Sequence, residues 1–182
     1  MAKIAVTGSN GFVGGNIANM LLAAGHEVIG LVRSNPEKEL PWKTVTTDLS
    51  SIDSIITEGT KVVSLTHQSN VLGTINPLEA IVKRAHDVGA VVILDACQSA
   101  PHMPIDVSKL GVDFLAFSGH KAVGPTGVGV LWSSLLKELP PFLFGGSMIE
   151  TVTMTSATWA PAPKKFEPGV PNMAQAVGLG AA

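Results

Sequence analysis

Short aliphatic and β-branched runs alternate with helix-period segments along most of this chain, and that alternation limits the fold more than any other feature. Lys3–Thr7, His26–Arg33, Thr44–Thr47, Lys61–Thr66, Ala90–Asp95, Asp113–Phe117 and Gly127–Trp132 read as strands. Gly11–Ala24, Ser50–Thr57 and Pro77–Val88 fall between them as helices. The helices carry their own punctuation. Gly25 and Gly89 stand where terminating glycines belong, Ser50 or Ser51 can cap, and Pro77 occupies a first turn. Ala90–Asp95 is apolar almost throughout, as parallel strands covered on both faces tend to be. The pattern predicts an α/β fold: a doubly wound, mostly parallel sheet with helices on both faces. After Leu139 it dissolves into prolines, glycines and threonines up to Asn172, before a last helix over Met173–Ala182.

Composition narrows the function classes. A chain of 182 residues suits one sizeable α/β domain, and two full domains would be cramped. A net charge of −2 with no basic run disfavours nucleic-acid binding. The single cysteine, Cys97, excludes an internal disulfide or a cysteine-rich metal site and suits a reducing cytoplasm. The start has no signal-peptide pattern, and no apolar run approaches the roughly 18 residues of a membrane span, so a cytoplasmic location is expected. Charged residues make up 14% of the chain, against about 25% in an average domain. Either apolar surface meets another domain or subunit, or the core is simply rich in Val, Ala and Gly.

Thr7-Gly8-Ser9-Asn10-Gly11-Phe12-Val13-Gly14 spaces Gly8, Gly11 and Gly14 as GxxGxxG between a strand and a helix. Such a turn lets the backbone approach a pyrophosphate held at a helix N-terminus. Arg33, ending the second strand, can meet a ribose 2′-phosphate, and Asp48, after the third, can face an adenine. With these residues, positions 1–50 resemble the extended short-chain dehydrogenase/reductase and NAD-dependent epimerase family. The resemblance implies an NAD(P)-binding βαβ unit. That family's chemistry needs a tyrosine, and this chain has none, so the implied module is catalytically silent. A glycine-capped βαβ unit without ligand gives the same pattern.

A second motif begins after a short apolar strand: Phe117-Ser118-Gly119-His120-Lys121, running on through Gly124-Pro125-Thr126-Gly127-Val128-Gly129. It sets one lysine beside a hydroxyl, an imidazole and a glycine-rich turn, a setting suited to holding pyridoxal phosphate as a Schiff base. Thr66-His67-Gln68-Ser69-Asn70-Val71-Leu72-Gly73, Asp95-Ala96-Cys97-Gln98, Pro140–Leu143, Gly145–Ile149 and Phe166–Gly169 accompany it in order. From about Thr57 to Ala182 the chain therefore resembles the class V aminotransferase family, and within it the cysteine desulfurases of the sulfur-mobilisation type and the selenocysteine lyases.

That resemblance implies a pyridoxal phosphate fold of type I and assigns roles. Lys121 is the catalytic residue and forms the aldimine. Asp95 pairs with the pyridinium nitrogen and Gln98 with the phenolic oxygen. Asn70 reaches that oxygen or the substrate carboxylate, and Ser118 and His120 hold the phosphate. Each has a plainer reading beside it: Asp95 as a strand-end cap, Ser118 as a turn residue, Lys121 as a solvated lysine. His67, His86 and His102 lack metal-ligand spacing and read as surface or packing residues, although His67 can line the site. Cys97 reads as a packed thiol.

Several family features are missing. The ring-stacking histidine belongs to a segment replaced here by the dinucleotide-like unit, and Val170 stands where a threonine reaches the phosphate across the dimer. By the same resemblance, the chain is expected to lack the sulfur-accepting loop cysteine and the small C-terminal domain. The expected organisation is a dinucleotide-binding-like unit over residues 1–50, a junction over 51–60 and a truncated pyridoxal phosphate domain over 61–182. A natural fusion, a built chimera and a gene-assembly error would all look like this. The expected function is a truncated desulfurase-like protein that forms the lysine aldimine with little or no sulfur transfer. L-cysteine as substrate, a sulfur acceptor and a homodimer are implied by resemblance alone. The alternatives are the silent NAD(P) module and a folded chimera without ligand.

Overall fold

The computed structural model describes residues 1–32, 34–47 and 51–182. Arg33 and Asp48, two of the nucleotide-facing candidates, lie outside them. Strands β1 (Lys3–Thr7), β2 (Glu27–Val32) and β3 (Lys43–Thr46) pair in parallel in that order, with helix α1 (Phe12–Ala23) crossing from β1 to β2. Strands β4 (Val62–Thr66), β5 (Val91–Asp95) and β6 (Phe114–Ser118) form a second parallel set, and β7 (Gly129–Ser133) returns antiparallel along β6. β1 lies beside β4, and a parallel backbone bridge between Lys3 and Thr60 joins the two sheets. Strand order therefore runs outward from this join in both directions. The expected α/β architecture is realised.

Helix α2 (Ile52–Ile55) is a single turn between the sheets, and α3 (Leu78–Asp87) connects β4 to β5. The sequence of α3 dictates how it sits. Leu78, Ile81, Val82 and Ala85 recur at helical spacing and are buried, while Glu79, Lys83 and Asp87 face water. Its stripe packs on Val92 and Leu94 of β5, Leu65 of β4 and Leu115 of β6. Burying each such Leu, Ile or Val side chain contributes about 1.5–3 kcal/mol. Arg84 ties the helix to the segment before it: Nε donates to the Ile56 carbonyl at 2.8 Å and sits 3.1 Å from Asp53 Oδ1.

The first sheet has a smaller core of Val6, Ala18, Val28 and Trp42. It also encloses two polar atoms without partners among the described residues, Ser9 Oγ and Trp42 Nε1. Both crowd Gly30, where a Cβ would stand 2.1 Å from the hydroxyl and 2.7 Å from the indole nitrogen. Only a residue without a side chain fits between them.

Several elements depart from the sequence reading. Ser50, the expected start of α2, lies outside the described residues, and the helix stops short of the expected Thr57 because Ile56 is already extended, with φ −93° and ψ 94°. β6 continues to Ser118, since that residue is paired with Gly129 of the returning strand. Within the stretch expected to be irregular, β8 (Ile149–Val152) and β9 (Ala157–Trp159) form an antiparallel hairpin. Every residue of β8 is exposed, so no inside–outside alternation marks it. A further single turn, α4 (Val107–Leu110), is capped by Asp106, whose carboxylate accepts from Ser108 N–H, and ends at Gly111 with φ +69°. The final helix, α5 (Met173–Ala181), forms as expected. No helix among the described residues is long and apolar enough to cross a membrane.

Candidate functional site

Thr66 of β4 pairs with Asp95 of β5, and Asp95 with Ala116 of β6, so the three strands end on one edge. The loops that leave this edge carry Asn70, Gln98 and Lys121. Asp95 is exposed at its strand end, and its Oδ1 accepts the Cys97 N–H at 2.8 Å. Cys97 Sγ lies 3.6 Å from Ser118 Oγ, spanning the gap between the ends of β5 and β6. The thiol is half-buried, as a packing residue would be. Gln98 is half-buried one residue on.

Beyond Ser118 the chain enters a tight 3₁₀ turn, Gly119–Lys121, with His120 and Lys121 exposed. Backbone bonds fix the turn. Gly119 N–H donates to Val128 O at 2.9 Å, and Ala122 and Gly124 N–H both donate to Gly119 O. Val123, two residues after the lysine, has φ +62°. For a β-branched residue that left-handed conformation costs about 1–2 kcal/mol, so the surroundings must enforce it. Leu179 of α5 is part of them: a Cβ at Gly124 would stand 2.7 Å from its Cδ1, and one at Gly119 3.3 Å away. Asn172, just before α5, donates from Nδ2 to Gly127 O at 2.8 Å.

The loop after β4 is tied to the loop after β5 by His67. Its N–H donates to Asp95 O at 2.8 Å, and its Nδ1 lies 3.0 Å from Ser99 Oγ. Ser99 is fully buried and His67 is 7% exposed. Burial holds the imidazole pKa below the ordinary histidine value, favouring the neutral ring. This link was not legible in the sequence; the only signal was the position of His67 directly after an apolar strand. Asn70 is exposed in the following turn, where Ser69 Oγ accepts from Val71 and Leu72 N–H. His86 pairs with Asp113 at 3.1 Å, and His102 Nδ1 lies 2.7 Å from the Gln98 carbonyl.

The glycine turn of the first sheet forms as its spacing implies. Gly8 has φ +61°, and Gly11 N–H donates to Gly8 O at 2.8 Å. A Cβ at Gly14 would stand 2.4 Å from that same oxygen. A cleft of about 390 Å³ opens beside the turn at the join of the sheets, between Thr7, Asn10 and Leu31 on one side and Ile52, Thr66 and Asn76 on the other.

The model of the family described as aminotransferase class-V matches residues 39–182. The chain belongs to this family. Among curated proteins it is 66% identical over 137 residues to a probable cysteine desulfurase of Streptomyces coelicolor, covering 74% of this chain and 33% of that one. Among solved structures it superposes on the cysteine desulfurase CsdA of Escherichia coli with a TM-score of 0.83 and 35% identity, over 99% of this chain and 44% of that one. A third, 26% identical with a TM-score of 0.73, covers 98% of this chain and 47% of that one. It is a lysine-to-alanine variant of a protein termed C-DES, with glycine covalently linked to its pyridoxal phosphate. The chain spans about a third to less than half of the length of these relatives.

This class V aminotransferase piece is thus cysteine desulfurase-like, on the fold of that group. Neither comparison supports a dehydrogenase or epimerase portion over residues 1–50. The family model starts inside that segment, at residue 39, and the E. coli fold covers 99% of the chain, first sheet included. The glycine turn and its cleft therefore stand as geometry, with no support for an NAD(P) ligand.

Pyridoxal phosphate, which the family implies, suits the donor set at the edge of the second sheet. A carboxylate (Asp95), an amide (Gln98), a hydroxyl (Ser118), an imidazole (His120) and an exposed amine (Lys121) leave strands or turns that share that edge. Ligands of open α/β sheets bind at such carboxyl ends.

Proposed function

We propose that this chain is the cofactor-holding part of a cysteine desulfurase-like protein, binding pyridoxal phosphate through Lys121. The observation that carries the reading is the convergence of Asp95, Ser118 and Lys121 at the carboxyl ends of adjacent strands. Asp95 would hold the proton on the pyridine nitrogen, and its strand-end position leaves the carboxylate open to do so. Ser118 and His120 would bind the phosphate, while Gln98 and Asn70 would orient the ring oxygen and an amino-acid carboxylate. When bound, the cofactor supplies an electron sink for a carbanion at the substrate α-carbon. Lys121 Nζ would take and return the proton at that carbon.

In this reading residues 61–182 form the cofactor-holding unit and 51–60 the junction with the first sheet. An L-cysteine-like amino acid is the substrate class, and a homodimer and a cytoplasmic setting go with it. Sulfur transfer should be weak or absent. Cys97 lies against Ser118 in the floor of the site, a poor position for taking sulfur away. Val170 offers no hydroxyl to a phosphate.

Incubation with pyridoxal phosphate should give a new absorbance band. Borohydride followed by peptide mapping should then place the label on Lys121. Lys121→Ala should abolish that label. Equal trapping in the variant at the same site would refute the assignment.

A further inference from the structure

The turn that carries Lys121 is held in a conformation its own sequence disfavours. Val123 has φ +62° and is 88% exposed, so no burial of its own side chain rewards the left-handed backbone. What holds the turn lies behind it. Gly119 O accepts from both Ala122 and Gly124, Gly119 N–H is anchored to Val128 O, and Leu179 Cδ1 closes against Gly119 and Gly124. The helix bearing Leu179 is itself moored to the same segment: a Cβ at Gly178 would meet Pro125 at 3.2 Å, and Asn172 bonds Gly127 O. We infer that Leu179 and Val123 form a positioning pair for Lys121. The helix clamps a strained turn, and the clamped turn presents the amine at the edge shared with Asp95 and Ser118.

This rests on the reading of Lys121 as the cofactor-binding lysine, and it adds a residue nearly sixty positions away to that site. The physical argument concerns which conformation the turn adopts when the clamp is loosened. With Leu179 trimmed, Val123 can leave the left-handed region, and the Gly119 carbonyl then loses its two donors. A glycine at 123 has no such preference and should keep the turn without the clamp.

The test uses the full chain and four forms: wild type, Leu179→Ala, Val123→Gly and the double variant. Pyridoxal phosphate followed by borohydride gives the rate of labelling at the Lys121 peptide, and amide hydrogen exchange at Ala122 and Gly124 reports the turn directly. Leu179→Ala should slow labelling roughly 5- to 30-fold and speed exchange at both amides. The double variant should recover both towards wild type, and Val123→Gly alone should label at least as fast as wild type. Circular dichroism of Leu179→Ala checks that the sheets persist. Should α5 detach in that variant, Leu179→Met supplies a milder loosening with the same rescue expected. Wild-type rates and exchange in Leu179→Ala, or no rescue by Val123→Gly, would overturn the inference while leaving Lys121 as the cofactor lysine. Absence of any Lys121 label in the wild type would overturn both.

Discussion

The two sheets of this chain are built alike and held together differently. The first rests on Val6, Ala18, Val28 and Trp42 and encloses the Ser9 hydroxyl and Trp42 indole nitrogen, neither with a partner among the described residues. The second buries a run of aliphatic residues from α3, β4, β5 and β6, with the amphipathic stripe of α3 laid across it. The strand-and-turn pattern is as clear in the first as in the second, but the side chains behind it are not equivalent. Pattern decides which elements form. Packing depth and polar satisfaction decide how firmly they are held and whether an edge can present functional groups at fixed positions.

The largest effect should come from the second core. Leu94 is fully buried, and Leu94→Ala is expected to cost about 3–5 kcal/mol, read as a lowered urea midpoint. A variant retaining Trp42 as its one tryptophan tells whether the first sheet follows. If its fluorescence transition does not shift with Leu94→Ala, the sheets unfold separately and the contrast between them is sharper still.

The next effect probes the first core. Gly30→Ala places a methyl group against Ser9 Oγ and Trp42 Nε1 and should cost about 1–3 kcal/mol. Ser9→Ala in that background should recover part of the loss, and alone it should stabilise by about 1 kcal/mol by removing a buried hydroxyl with no partner among the described residues. A destabilised Ser9→Ala would show that the hydroxyl has a partner after all and would bring the two cores closer in quality.

The smallest effect is a pH dependence belonging to the second sheet. Burial depresses the pKa of His67 below its ordinary value of 6.5. The unfolded chain therefore binds this proton more readily than the folded one, and stability falls as pH drops below about 6.5 towards the folded value. The contribution is complete above that range. His67→Asn should flatten this part of a thermal-stability profile, and a profile unchanged by the substitution would detach His67 from it.

Much of this was legible in advance. The strands from β1 to β7 and helices α1, α3 and α5 follow from aliphatic runs, helical spacing and terminal glycines, with ends displaced by a residue or two. The edge carrying Asp95, Ser118 and Lys121 followed from ordered motifs, because strand ends in a parallel sheet must meet. The hairpin of β8 and β9 was hidden because a strand exposed on both faces has no period to read. Asp106 and Gly111 did mark α4, as a cap and a left-handed stop around Val-Ser-Lys-Leu, and that signal was available. The His67–Ser99 link joins residues far apart in sequence, and no local pattern announces it. Val123 is the clearest case of the limit. Valine is a poor signal for a left-handed turn, and the Gly119 hydrogen bonds and the helix packed behind them join residues that no local pattern connects.

The Lys3–Thr60 bridge has a consequence for how such a chain can vary. It joins the sheets through main-chain atoms, which every amino acid but proline supplies in the same form. The pairing of the two sheets at this point therefore makes no demand on side-chain identity at Lys3 or Thr60, and most substitutions at either position should leave the joint in place.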